Sequence, residues 1–178
     1  LSFMHSRNRF HLDFKLDNLV IDHRGEVFLI DFGCTVESRN KQISGLYSKG
    51  DYNYYSPERW MANYDIGELC DGPKVDSWAA GMAILELISG EPTPFKRLDI
   101  EKILCEPAPK GWTSQKVLQQ YFEEKLASIP DIKQCKPDSV WAVIKGLLAF
   151  DPNKRLSVEE AIQKPWFVYK MMEAHQHE

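Results

Sequence analysis

The chain has 178 residues, 43% of them hydrophobic and 27% charged, the composition of a single globular domain and not of a disordered or fibrous chain. Its 22 Lys+Arg against 26 Asp+Glu leave a net charge of −4, so no broad positive field is available to hold nucleic acid or an anionic membrane surface. The longest apolar run, around Trp78 to Ile88, is interrupted by Glu86 and falls short of the about 20 apolar residues a spanning helix needs, so no membrane insertion is expected.

Cys34, Cys70, Cys105 and Cys135 are widely scattered with no C-x-x-C pair, which suggests neither a zinc knuckle nor a disulfide scaffold. An intracellular, cytoplasmic location is the expectation. The chain opens on Leu1 with no basic-then-apolar leader pattern, a start that reads as cut.

In chain order, Leu1 to Ser6 reads as the last turns of a helix ended by Asn8. Two runs of β-formers follow, Leu19-Val20-Ile21 and Val27-Phe28-Leu29-Ile30, and the turn between them, Asp22 to Glu26, has hairpin length. From Asp31 to Pro57 the chain is polar, Gly-punctuated and rich in Ser and Tyr, a long connection of the functional or mobile kind. After Pro57 the pattern is helical to the end. Val75 to Ile88 is apolar nearly all round, the mark of a helix through the middle of a core. Gly90 to Pro94 ends it, and Glu106 to Trp112 forms a loop between helices. Further helices are expected at Ser114–Ala127, Ser139–Phe150 and Ser157–Ile162, and Trp166-Phe167-Val168 should dock the tail before it frays at His175 and His177.

The densest cluster of chemistry-bearing residues is His11-Leu12-Asp13-Phe14-Lys15-Leu16-Asp17-Asn18, followed beyond the hairpin by Asp31-Phe32-Gly33. Ser56-Pro57-Glu58, Asp76-Ser77-Trp78-Ala79-Ala80-Gly81 and Asp151-Pro152-Asn153-Lys154-Arg155 come later in the chain. In this order the motifs resemble the catalytic loop, metal loop, A-P-E, D-x-W-x-x-G and late D-P-x-x-R of eukaryotic-type protein kinases, over roughly His5 to Phe167.

The resemblance implies an α+β, mainly α-helical fold: the large lobe of a protein kinase, spanning 1–178, with a short β-hairpin carrying the catalytic and metal loops. It implies ATP and Mg as cofactors, a protein as substrate, and transfer of the γ-phosphoryl group to a protein hydroxyl. Because phosphoryl transfer chiefly requires positioning and charge neutralisation, the residue types fit. By resemblance Asp13 orients the attacking hydroxyl and accepts its proton, and Lys15 places a cation beside the transferring group. Asn18 and Asp31 supply oxygens to Mg, and Val20 forms the floor under the adenine. His11, Phe32 and Asp76 resemble an internal stack, with His11 a packed core residue and not a general base. Glu58 and Arg155 resemble a buried ion pair anchoring the end of the loop. Lys15 favours Ser/Thr over Tyr specificity. Candidate regulatory hydroxyls are Thr35, Ser38, Ser44, Tyr47 and Ser48, each also readable as an ordinary loop residue. Cys34 reads as a small buried residue.

The chain departs from the pattern at three positions. Leu12 stands where the family carries an arginine that pairs with a loop phosphate, and Leu16 replaces a proline. Asp51 stands where a threonine is usual, a second carboxylate that would repel Asp13 unless Lys15 bridges the two. The Gly-rich loop, strand lysine and helix glutamate of the family's small lobe do not occur. Ala142-Val143-Ile144-Lys145 resembles the lysine strand only in letters, and Gly45 to Gly50 lacks the Lys-Ser/Thr of a Walker loop, because Asp51-Tyr52 follows it. The expectation is a fragment whose small lobe belongs to the same full-length chain, with weak or no ATP binding by this piece. The rival reading is a pseudokinase-like protein-binding module, against which the presence of Asp13, Lys15, Asn18 and Asp31 argues.

Overall fold

The computed structural model describes residues 1–44, 50–64 and 69–174. After helix α1 (Ser2–His5) come strands β1 (Arg9–Phe10), β2 (Leu19–Ile21), β3 (Val27–Leu29), β4 (Val36–Glu37) and β5 (Gln42–Ser44). Helix α2 (Pro57–Ala62) and strand β6 (Leu69–Asp71) lead into the long helix α3 (Gly72–Ser89). The remainder is helical: α4 (Arg97–Cys105), α5 (Ser114–Ala127), α6 (Pro130–Lys133), α7 (Val140–Leu147), α8 (Val158–Ile162) and α9 (Pro165–Ala174).

Helix α3 has clear start and stop signals. The Asp71 carboxylate accepts a hydrogen bond from Lys74 N, Pro73 sits in the first turn, and Gly90 closes the helix at φ 68°, a left-handed position suited to glycine. Most of its residues from Gly72 to Leu85 are buried, as its apolar sequence requires, while Leu87 and Ile88 in the last turn are exposed, so the expectation of burial all round stops at Leu85. Trp78 is wholly enclosed, 5.7 Å from Phe95 and 5.4 Å from Phe122 between ring centroids, and Met82, Ile144 and Leu148 complete this core. Gly81 lets α7 come close: a Cβ there would lie 2.8 Å from that of Leu147.

The strands form three separate antiparallel pairs, β1–β4, β2–β3 and β5–β6. The β2–β3 ribbon matches the hairpin expectation, with Leu19 opposite Leu29 and Val20 opposite Phe28, although the second strand stops at Leu29, before Ile30. Two expectations need correction. The stretch after Asp31 carries β4 and β5, and the region after Pro57 is not wholly helical, because β6 pairs with β5. These strands are two or three residues long and are set by a partner distant in sequence, which leaves no local period to read. Trp166 and Phe167 dock against Val143, Leu147 and Ala161, while Val168 stays exposed. His175 and His177 lie outside the described residues. No helix among the described residues is long and apolar enough to cross a membrane.

Candidate active site

The segment from His11 to Asn18 is suspended from the first turns of α3. Asp76, fully buried, accepts hydrogen bonds from His11 N (2.7 Å) and Leu12 N (2.8 Å), and its Oδ2 lies 2.9 Å from His5 Nε2. One carboxylate therefore satisfies buried backbone donors of the loop that no strand or helix could reach. Leu12 adopts φ 63°, uncommon for a residue with a side chain. It is held there by Asp76, by Arg59 Nη1 donating to Leu12 O at 2.9 Å, and by burial of its side chain with Phe10, Ile43, Ala62 and Val75. The leucine at this position is thus a core residue.

Asp13, 8% exposed, receives donors on both carboxylate oxygens. Asp51 N donates to Oδ1 at 2.9 Å, Asn18 Nδ2 to Oδ2 at 3.3 Å, and Lys15 Nζ lies 3.4 Å from Oδ2. Asn18 Nδ2 also donates to Asp13 O at 2.7 Å. Three of the sequence-selected residues, Asp13, Lys15 and Asn18, so form one cluster, in which the carboxylate is fixed as an acceptor facing a cation.

Asp31 joins through the ribbon. Ile30 N donates to Asn18 O at 2.9 Å, which puts Asn18 and Asp31 at the same end of the hairpin, as the sequence suggests. Asp31 is exposed, sits at φ 61°, and accepts from Gly33 N through Oδ1 at 3.2 Å. With the Asn18 amide nitrogen engaged on Asp13, its oxygen and Asp31 Oδ2 are the donors left at this end. They are hard oxygens of the kind Mg takes. Val20 lies on the ribbon opposite Phe28, both exposed.

The Asp51 expectation is corrected. Its carboxylate turns away to accept from Asn53 N at 2.9 Å, and among the described residues Lys15 pairs with Asp13 and not with Asp51. A one-turn cap takes up the second carboxylate, leaving only the Asp51 backbone amide to meet Asp13. Gly50, at φ 104°, makes this approach possible, since a Cβ there would lie 2.9 Å from Leu12 O.

The expected stack is met in part: Asp76 binds the His11 amide and the His11 and Phe32 rings meet edge-on at 5.4 Å, but Phe32 is 53% exposed, so that end of the stack is not internal. His11 Nε2 lies 3.3 Å from Ile30 O and Nδ1 3.3 Å from Asp13 N, partners that assign the proton to Nε2. Both ring nitrogens are engaged with backbone, so the ring positions the loop. Below the site, Arg155 grips Glu58 through two bonds of 2.6 and 2.8 Å and reaches Lys74 O and Ala149 O at 2.8 and 2.9 Å. Tyr54 OH donates to Glu86. Burial first, then that carboxylate, pushes the phenol above its ordinary range, so it remains a donor tying residues 51–55 to α3.

Among the candidate regulatory hydroxyls, Ser38 Oγ is engaged with Gln42 O at 2.7 Å, and Thr35 and Ser44 are half-buried. Tyr47 and Ser48 lie outside the described residues. Cys34 is half-buried against the Phe10–Leu12 cluster. Sequence reasoning missed His5, Gly50 and Arg59. The first and last are polar residues buried at long range, and the only available signal for Arg59 was its position beside Glu58 at a helix start.

The sequence profile of the protein kinase domain matches residues 1–167. The chain belongs to the protein kinase family. It is 31% identical over 163 residues to mitogen-activated protein kinase kinase 2 of Arabidopsis thaliana, covering 91% of this chain and 40% of that protein. It is 30% identical over 168 residues to the serine/threonine-protein kinase chk1 of Schizosaccharomyces pombe, covering 93% and 30%. It is 28% identical over 169 residues to the bovine (Bos taurus) phosphorylase b kinase gamma catalytic chain, liver/testis isoform, covering 94% and 37%. The chain therefore spans less than half the length of these curated relatives. Its α+β, mainly helical architecture is consistent with a kinase-like fold.

Proposed function

We propose that this chain is the large lobe of a Ser/Thr protein kinase which, in the complete protein, transfers the γ-phosphoryl group of Mg-ATP to a protein hydroxyl. The single observation that carries the reading is the Asp13 carboxylate, buried and held by Asp51 N, Asn18 Nδ2 and Lys15 Nζ. Asp13 orients the incoming hydroxyl and takes its proton as the oxygen bonds to phosphorus and the bond to the ADP oxygen breaks. Lys15 holds a positive charge where negative charge develops on the transferring group. The free oxygens of Asn18 and Asp31 suit magnesium, which when bound neutralises phosphate charge. Val20 offers an apolar surface to the adenine.

The small lobe would close over the exposed apolar surface of Phe3, Val20, Phe28 and Phe32, supplying the Gly-rich loop, strand lysine and helix glutamate. Held from this side alone, the nucleotide should bind the isolated chain more weakly than micromolar; micromolar affinity in a titration with Mg-ATP would overturn that part. Leu12 and Asp51, the departures that favoured a pseudokinase-like module, are accommodated by core packing and a local cap without dispersing the cluster, which supports the catalytic reading. The direct test is Asp13→Asn in the complete protein. Phosphoryl transfer should fall by about 10²–10⁴-fold with folding intact; undiminished transfer would refute the assignment.

A further inference from the structure

A cavity of about 410 Å³ opens between α5, α6, α7 and the turn at Asp151–Lys154, within the size range of small-molecule sites. It shares no residue with the Asp13 cluster. Leu126, Ile132, Leu148 and Phe150 form an apolar floor, and Ile132 and Leu148 belong to the central core, so the floor is rigid. Three lysines, Lys133, Lys145 and Lys154, line the same cavity with Glu123 and Asp151.

The charges are unevenly matched. Glu123 accepts from Gln119 Nε2 at 2.8 Å. Asp151 accepts from Asn153 N at 2.9 Å, and its Oδ2 lies 4.0 Å from Lys154 Nζ. Asp151 thus has a cationic neighbour in Lys154, whereas Glu123, Lys133 and Lys145 form no ion pair among the described residues, and three lysines against two carboxylates leave the lining with one surplus positive charge. The unmatched charge is positive, on a chain whose net charge is −4. An apolar floor beside a surplus of one positive charge complements a ligand that has a singly charged anionic head and an apolar tail. A free phosphate would leave the floor unused, and a neutral lipid would leave the lysines unused.

We propose that this cavity binds an amphipathic monocarboxylate, its acyl chain on the Leu126–Ile132–Leu148–Phe150 floor and its carboxylate at Lys133 and Lys145. A neighbouring cavity of about 220 Å³ shares Gln119, Phe150, Asp151 and Lys154 and is lined beyond them by Glu58 and Met61.

The test is a titration of the chain with decanoate and with decanol, both kept below aggregation, followed by amide chemical shifts. Decanoate should move amides of α5, α6, α7 and residues 149–154 only. It should bind at least tenfold more tightly than decanol, and lose about three- to fourfold in affinity per methylene removed. Combining Lys133→Glu with Lys145→Glu, both exposed, should weaken decanoate at least tenfold and leave decanol unchanged. Ala127→Trp, which fills the cavity from an exposed position, should remove both. Shifts scattered over the surface, or equal affinity of decanoate for the parent chain and the double-lysine variant, would overturn the proposal, even if Ala127→Trp failed to fold. None of these readouts depends on kinase activity, so the two readings fail separately.

Discussion

Trp78 at the centre of α3 is wholly buried, whereas Ile21 and Val27 on the β2–β3 ribbon are 70% and 60% exposed. Both regions are apolar in sequence and both flank the same loop. The helical body encloses the apolar side chains around Trp78 with elements that this chain supplies, although Leu87 and Leu98 at its surface stay exposed, and the ribbon encloses none of its own. The ribbon's shape comes instead from backbone pairing and from the Ile30–Asn18 bond at its end. Since exposed apolar side chains contribute little to folding, the ribbon is expected to be tuned for contact and the body for stability.

The comparison can be broken most forcefully at Arg155. Replacing it with Ala strands Glu58 and frees the carbonyls of Lys74 and Ala149, and should destabilise the chain by about 3–5 kcal/mol in urea unfolding. A loss below 1 kcal/mol would show that the pair is no more than a surface bridge. Gly81→Ala tests packing alone. Its new Cβ meets Leu147 and Leu148 at 2.8–2.9 Å, and the expected cost is about 1–3 kcal/mol by the same measurement. On the ribbon, Ile21→Thr should change stability by less than about 0.5 kcal/mol; a larger loss would mean that the ribbon supports the fold after all.

The smallest effect is at the start of α8, where Ser157 and Glu160 form a reciprocal cap. Hydrogen bonds from Ser157 hold the Glu160 carboxyl below its usual range. A carboxyl depressed in the folded state contributes stability that is present above its unfolded pKa and is lost as pH falls through the folded value. A carbon-detected titration of Glu160 should therefore show a midpoint below that of a free glutamate, with the Ser157 amide resonance moving in step. A midpoint at the ordinary value would remove the cap's contribution.

Much of the site was legible because its residues lie close in sequence. Asp13, Lys15 and Asn18 sit within one short loop, so a local motif sufficed, and the hairpin's length was enough to bring Asp31 to Asn18. Helix α3 was equally legible from its long, mostly apolar run and the glycine that stops it. The pairings β1–β4 and β5–β6 were not, because each strand is too short to display a period and acquires its partner from far along the chain.

What the sequence determined by itself is therefore the family pattern, the central helix, the ribbon and the identity of the clustered polar residues, all of which rest on local order and periodicity. Only the tertiary structure decided how that cluster is held. Asp76, His5, Gly50 and Arg59 converge on the loop from separate elements, and Asp51 contributes its amide while its carboxylate turns away. These choices arise because buried donors and acceptors must find partners wherever the packed chain puts them, a requirement that spacing along the sequence does not express.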